Sequence, residues 1–170
     1  ILPKDKQSTD MYWESSEDVE AILAQGYSRL RTCVPYIINW GELRGSSVIV
    51  PGRGTKTGLI QNFQVLPSTS TVQWGTFYQV IGMANAVLKY APTVMDKDAS
   101  YYESRMNSHL TEAYFLRGLS YLYLVRNFRE VPLITEPYVD DAMPNDVAKS
   151  SETEILELIK SDVRAALATN

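Results

Sequence analysis

The chain has 170 residues, 45% of them hydrophobic and 21% charged, which is typical of a globular domain and excludes disordered and collagen-like classes. The formal net charge is -4, so the chain lacks the basic surplus that binding to nucleic acid requires. Its single cysteine, Cys33, excludes an internal disulfide framework and a cysteine-rich metal site.

A first helix is predicted to begin after Ser15 or Ser16, either of which can cap it, and to end before Pro35. Apolar residues and a glycine follow at three- and four-residue steps and form one face of this helix: Val19, Ile22, Leu23, Gly26, Tyr27 and Leu30.

Residues 34–70 are predicted to form a long irregular excursion, because they hold five of the nine glycines and three of the eight prolines. Short strands are predicted within it at Val48–Val50 and Phe63–Leu66. The glycine-rich run at 51–58 follows an apolar segment, but threonine precedes its lysine where a phosphate loop has glycine. No nucleotide site is therefore predicted, whereas a long loop of this kind is often functional.

A second helix is predicted over about residues 72–90, with Ser70 or Thr71 as its cap and Pro92 as its end. Asn85 lies inside this helix, where asparagine is a poor helix former. We expect its side chain to bond a neighbouring stretch of backbone.

A third helix is predicted to start within residues 98–102 and to end near residue 127, which makes a hairpin with the second helix. Residues 113–125 are apolar on nearly all sides, a pattern typical of a helix buried between others and too short to span a bilayer. Arg117 interrupts that run. A buried guanidinium must be paired, so we expect a carboxylate from another helix, either Asp162 or a residue of the first helix, or an array of carbonyls.

Residues 132–150 are predicted to be irregular, and Ser151 with Glu154 then fits the capping box of a fourth helix. Its apolar face is lined by Ile155, Leu158, Ile159, Val163 and Ala166. Because this helix has no hairpin partner in the chain, we expect the fold to continue beyond Asn170 and the fourth helix to carry exposed apolar surface.

Candidates for catalysis and metal binding are few. His109 is the only histidine, and an ordinary, partly exposed position on a helix is expected for it. Four residues with possible oxygen ligands for a metal ion lie close together in the sequence: Asp140, Asp141, Asn145 and Asp146. They lack the spacing and the closing glutamate of a calcium loop. No nucleophile elbow or metalloprotease motif is present, so we predict neither an enzyme, nor a metal site, nor a cofactor.

Four stretches together resemble one family. EAYFLRGLSYLYLVRNFREVPLITEP, at residues 112–137, is similar to the signature helix of SusD/RagB-like proteins, the surface glycan-binding lipoproteins of Bacteroidetes. The helix at 74–92, the GELRG loop at 41–45 and the helix at 150–167 fit in the same order. The chain departs from the family at the exit of the signature helix. There the family often has Phe-Gly-Asp-Val-Pro-Leu, and here Arg and Glu stand at positions 129 and 130.

The resemblance implies an all-α fold of stacked tetratricopeptide-like helical hairpins, with the irregular excursion between helices one and two. Helices two and three then make one repeat and helix four begins the next. Since family members are considerably longer, residues 1–170 are expected to be the N-terminal part of such a domain. Family members are attached to the outer membrane through a lipidated cysteine near the mature N-terminus. Cys33 lies too far inside for that role, so the anchor is expected upstream of Ile1.

The family's function, as the resemblance implies it, is to capture oligosaccharide and deliver it to a TonB-dependent outer-membrane transporter of the SusC type, without hydrolysis. An alternative from another class is a helical-repeat scaffold that binds protein and no sugar. Carbohydrate binding by the full-length protein distinguishes the two.

Residues 34–66 are the best candidate for a ligand site within this chain. In one interpretation Trp40 stacks on a pyranose ring while Glu42 and Arg44 bond its hydroxyl groups. In the other, which we favour, the GELRG loop fastens the excursion to the core through Arg44 and Glu42. Asn85, Arg117 and Asp162 are predicted to be structural.

Overall fold

The computed structural model describes residues 12–45, 47–52, 54–66, 73–137 and 146–169. As predicted, the fold is helical. In chain order its elements are α1 (Ser16–Gly41), a 3-10 turn (Glu42–Arg44), α2 (Lys56–Gln61), α3 (Gly75–Met95), α4 (Glu103–Phe128), β1 (Val131–Pro132), β2 (Lys149–Ser150) and α5 (Glu152–Ala168). The predicted helices one to four correspond to α1, α3, α4 and α5, and α2 was not predicted. Within the described ranges no helix is long and apolar enough to cross a membrane.

Helix α1 begins where it was predicted but does not end before Pro35. It continues six residues beyond the proline to Gly41, so that prediction is wrong. The proline is exposed and costs the helix one backbone hydrogen bond, whereas Cys33 and Trp40 on either side of it are buried in the core. Burial of those side chains outweighs the local cost.

The same reason applies to Pro92 in α3. The helix was predicted to end there, yet it runs on to Met95, with Ala91 and Val94 fully buried around the proline. The predicted caps of this helix, Ser70 and Thr71, lie outside the described residues.

The excursion is more ordered than predicted and contains no described strand at 48–50 or 63–66. Instead, the amide of Gln61 donates to the carbonyl of Val48 and its oxygen accepts from the N–H of Val50 at 3.1 Å. Helix α2 begins after Thr55, whose hydroxyl accepts the N–H of Gly58 at 3.1 Å. The side chain of Gln61, and not pairing with another strand, therefore holds residues 48–50 in place.

Helices α3 and α4 form the predicted hairpin, and α4 packs against α1, α3 and α5. Its core residues Leu116, Tyr121 and Leu124 have no exposed surface. Beyond the helix, Arg129 adopts a left-handed φ of 63°, a conformation that favours glycine. Position 129 is also where the sequence has arginine in place of the family's glycine.

Residues 132–150 were predicted to be irregular, but their two ends pair as a short antiparallel ribbon. Val131 lies opposite Ser150, and Pro132 opposite Lys149. The capping box of α5 is present as predicted. Ser151 accepts the N–H of Glu154 at 3.3 Å, and the Glu154 carboxylate accepts the N–H of Ser151 at 2.8 Å.

Candidate functional site

The 3-10 turn places two charged side chains at the surface. Leu43, in its middle, is 4% exposed and fastens the turn to the protein, while Glu42 and Arg44 on either side of it are exposed. Neither forms an ion pair with another described residue. The expectation that Glu42 and Arg44 fasten the loop is therefore wrong. Leu43 attaches the turn to the core instead, and the two charged side chains are exposed.

Trp40 lies in the core, at the end of α1. Its ring is 8% exposed, stacks on Phe77 at a centroid distance of 5.3 Å and meets the edge of Phe128 at the same distance. In this structure the indole has no open face for a sugar and serves packing. Stacking on a ligand stays a prediction that requires this end of α1 to open.

Another aromatic ring in the excursion is exposed, and the sequence analysis did not single it out. Phe63 lies two residues after the end of α2, is 74% exposed and has a left-handed φ of 58°. Helix α2 packs against the 3-10 turn, so Phe63 extends from the element next to Glu42 and Arg44. Ile49, 87% exposed, lies on the segment held by Gln61. The signal that was missed is Thr55 as a helix cap, since recognising α2 places Phe63 at its C-terminal turn.

Arg117 is bonded inside the core to Asp162, one of its predicted partners. Its Nε donates to Asp162 Oδ2 at 2.9 Å and its Nη2 to Asp162 Oδ1 at 2.6 Å. The remaining nitrogen, Nη1, donates to Asn85 Oδ1 at 2.9 Å. The Asn85 amide in turn donates to the carbonyls of Ile134 and Glu136. The network joins α3, α4, α5 and the segment after β1, and the burial of all three side chains points to a structural role.

His109 was expected to be partly exposed, and that expectation is wrong. Its side chain is buried, with Nδ1 bonded to the Tyr101 hydroxyl at 2.8 Å and Nε2 lying 3.6 Å from Glu20 Oε1. Glu20 is itself bonded by Arg105 at 2.6 Å. Burial lowers the pKa of His109, and the charge of Glu20 offsets only part of that effect.

The pKa of His109 gives the stability of the protein a pH dependence. The folded state disfavours the imidazolium, so below the ordinary pKa of 6.5 the unfolded state takes up the proton first. We expect the free energy of unfolding to fall as the pH is lowered from about 7 through 6.5 and towards the depressed pKa. Urea titrations across this range measure the slope. His109→Gln should flatten it, and an unchanged slope in that variant contradicts the assignment.

The described ranges contain no group of three histidine, cysteine, aspartate or glutamate side chains placed to hold a metal ion. Of the acidic cluster considered from the sequence, Asp140, Asp141 and Asn145 lie outside the described residues.

A second surface, the α4–α5 groove, lies between the exposed sides of those two helices. It has a volume of about 280 Å³ and is lined by Phe115, Gly118, Leu119, Leu122, Ile159, Val163 and Leu167 among others. Phe115 and Val163 are 52% exposed and Leu167 is 72% exposed. The expectation of exposed apolar surface on the fourth helix is confirmed.

Comparison with known proteins covers nearly the whole chain. A SusD-like family model, described as "Starch-binding associating with outer membrane", matches residues 5–169. SusD-like protein P38 of Formosa agariphila is 30% identical over 98% of this chain and 32% of its own length. The structure of a SusD superfamily protein from Bacteroides thetaiotaomicron superposes with a TM-score of 0.81 at 24% identity, over 92% of this chain and 36% of that one. A laminarin-binding SusD-like protein gives 0.73 at 26% identity, over 92% and 34%. The chain spans about a third of the length of the curated relatives that it matches.

Proposed function

This chain belongs to the SusD-like family, and from that premise we propose that the protein binds oligosaccharide for uptake at the outer membrane. The observation that carries the proposal is the family match over residues 5–169. The 26% identity to a laminarin-binding protein adds support for a glycan as the ligand.

We propose further that residues 1–170 are the N-terminal part of a longer helical-repeat domain. Curated relatives are about three times as long as the matched region. In addition, the α3–α4 hairpin has the arrangement of one helical repeat, and α5, with one apolar side exposed, has that of the first helix of the next. On this proposal a lipid anchor lies upstream of Ile1 and places the protein on the outer surface of the cell. The partner is a TonB-dependent transporter of the SusC type, to which the protein delivers its ligand without cleaving it.

Within this chain the proposed ligand contacts are Glu42, Arg44 and Phe63. Pyranose rings are recognised by apolar contact with an aromatic face together with a few placed polar groups. Phe63 offers an exposed ring on α2's C-terminal turn, and the neighbouring 3-10 turn offers a carboxylate and a guanidinium that no described residue engages. On this proposal Phe63 has the stacking role that one interpretation of the sequence gave to Trp40.

Calorimetry on the full-length protein with soluble starch and laminarin oligosaccharides tests this proposal. Phe63→Ala and Arg44→Ala are each expected to weaken binding of the preferred sugar about tenfold, or about 1.4 kcal/mol, because each removes a central contact. The matched control is Arg164→Ala, which removes an exposed arginine far from the 3-10 turn in sequence, on α5. This variant should bind the sugar normally.

Two outcomes contradict the proposal in different ways. Normal binding by both variants means that the ligand lies elsewhere in the protein. Absence of carbohydrate binding, with the transporter still associated, favours instead a helical-repeat scaffold for proteins.

A further inference from the structure

Charge is distributed unevenly along the chain. Residues 21–95 contain six lysines and arginines and a single acidic residue, Glu42, whereas the rest of the chain contains ten and nineteen. We call residues 21–95 the positive segment; it includes most of α1, the 3-10 turn, α2 and α3. A local surplus of positive charge attracts an anionic ligand even though the net charge of the whole chain is -4.

Four cations of the positive segment are exposed and form no ion pair with another described residue. They are Arg29 and Arg31 on α1, Arg44 in the 3-10 turn and Lys56 at the start of α2. Six other lysines and arginines in the described part of the chain do lie in ion pairs. An anion therefore meets these four cations without first displacing a carboxylate of the protein.

Packing brings two of these cations to the proposed ligand contacts. Helix α2 packs against both α1 and the 3-10 turn, so Lys56, its first residue, belongs to the same surface as Arg44. Phe63 lies just past the other end of α2, a helix only about 9 Å long at 1.5 Å per residue. Arg31 extends the positive charge along α1, about 15 Å before Gly41 by the same helical rise. These distances match the length of a short oligosaccharide.

An anionic membrane fits this surface less well than an anionic sugar. Binding to anionic lipid uses clusters of about four to eight lysines and arginines. Here the cations are spread over two helices and a turn, and the carboxylate of Glu42 and the exposed ring of Phe63 lie among them. A carboxylate and an aromatic ring suit the hydroxyl groups and apolar face of a sugar, and the cations suit charged substituents on it.

We propose that the glycan bound at the 3-10 turn is anionic and that Arg44 and Lys56 hold its carboxylate or sulfate groups. This inference rests on the proposed function of the protein in glycan binding and names the class of glycan. The planar guanidinium of Arg44 can donate two parallel hydrogen bonds to one carboxylate, whereas the Lys56 ammonium acts as a point charge. Glu42 then accepts hydrogen bonds from uncharged hydroxyl groups of the same sugar chain.

Calorimetry on the full-length protein with two matched pairs of sugars tests the proposal. One pair is oligogalacturonate and its methyl ester, which differ in the charge of the carboxyl groups. The other pair is sulfated and unsulfated laminarin oligosaccharide. We expect the acidic member of at least one pair to bind about tenfold more tightly than the neutral member at low salt. Screening shortens to about 3 Å in 1 M salt, so the difference should disappear there.

Substitutions at the turn should act in opposite directions. Arg44→Gln together with Lys56→Gln should reduce the preference for the acidic sugar to about twofold or less, because both anchoring charges are lost. Glu42→Gln removes the one acidic residue of the positive segment and keeps an amide that bonds hydroxyl groups, so it should tighten binding of the acidic sugar about twofold. Arg164→Gln on α5 is the matched control and should leave the preference unchanged.

Equal binding of the acidic and neutral members overturns this inference and leaves the proposed glycan binding intact. Binding of neither acidic sugar also overturns it, and binding of no sugar at all counts against the proposed function as well. A preference that survives in the Arg44→Gln, Lys56→Gln variant places the recognition of charge elsewhere. Binding to vesicles that contain phosphatidylglycerol, lost in that variant and without any preference among the sugars, means that the surface faces a membrane. Each of these last two results overturns the inference.

Discussion

Asp162→Ala is expected to lower the free energy of unfolding by about 3–5 kcal/mol, because it leaves the Arg117 guanidinium buried without its counter-charge. Arg117 is 8% exposed and Asp162 is 2% exposed, so water cannot replace the two hydrogen bonds that are lost. Urea or guanidinium denaturation followed by circular dichroism measures the change.

The double variant Arg117→Met with Asp162→Leu separates the unpaired charge from lost packing. Apolar residues of similar size often replace a buried pair with little loss, so the double variant should be clearly more stable than Asp162→Ala alone. Some loss is expected to remain, since Asn85 Oδ1 then lacks its donor. The surface pair of Glu157 and Lys160 on the same helix is the control, and Glu157→Ala should change stability little. If the double variant is no better than Asp162→Ala, packing and not charge explains the effect.

The Arg117–Asp162 pair is an example of an interaction that could be predicted from the sequence. A single charge in an otherwise apolar helix requires a buried partner. That requirement left Asp162, a residue of the first helix and an array of carbonyls as alternatives, and the structure shows Asp162. The capping box of α5 and the α3–α4 hairpin could also be predicted, because the residues that indicate them are close together in the sequence.

Other features depended on contacts between distant residues. Pro35 and Pro92 are local stop signals, and each was overridden by core packing that the local sequence does not display. His109 was expected to be partly exposed. Its burial depends on Tyr101 and Glu20, and Glu20 lies 89 residues earlier in the chain.

The ligand site within residues 34–66 stays a prediction, and the structure shows which of its side chains are exposed. Residues 34–66 do carry exposed charged groups at Glu42 and Arg44, but composition alone did not distinguish the buried aromatic Trp40 from the exposed aromatic Phe63. That distinction depends on α1 continuing through Pro35, which turns Trp40 into the core, and on α2, which places Phe63 at its end.

Trp40→Ala is therefore expected to act on stability and not directly on a ligand. Removing a ring that packs against Phe77 and Phe128 should cost about 3–5 kcal/mol in the free energy of unfolding, from lost apolar burial and the cavity left behind. Trp40→Phe keeps part of that packing and should lose less. Denaturation of both variants, with Arg44→Ala in the adjoining 3-10 turn as the exposed control, measures the difference.

Sugar binding by Trp40→Phe then decides between the two roles of this residue. If the indole only packs, the variant folds at 25 °C and binds oligosaccharide with the affinity of the unmodified protein, whereas Phe63→Ala does not. If instead Trp40→Phe keeps its stability and loses the sugar, the indole reaches the ligand, and α1 must open near Gly41 for it to do so. The first result is expected, because an 8% exposed ring held by two aromatic neighbours would have to give up that packing before it met a ligand.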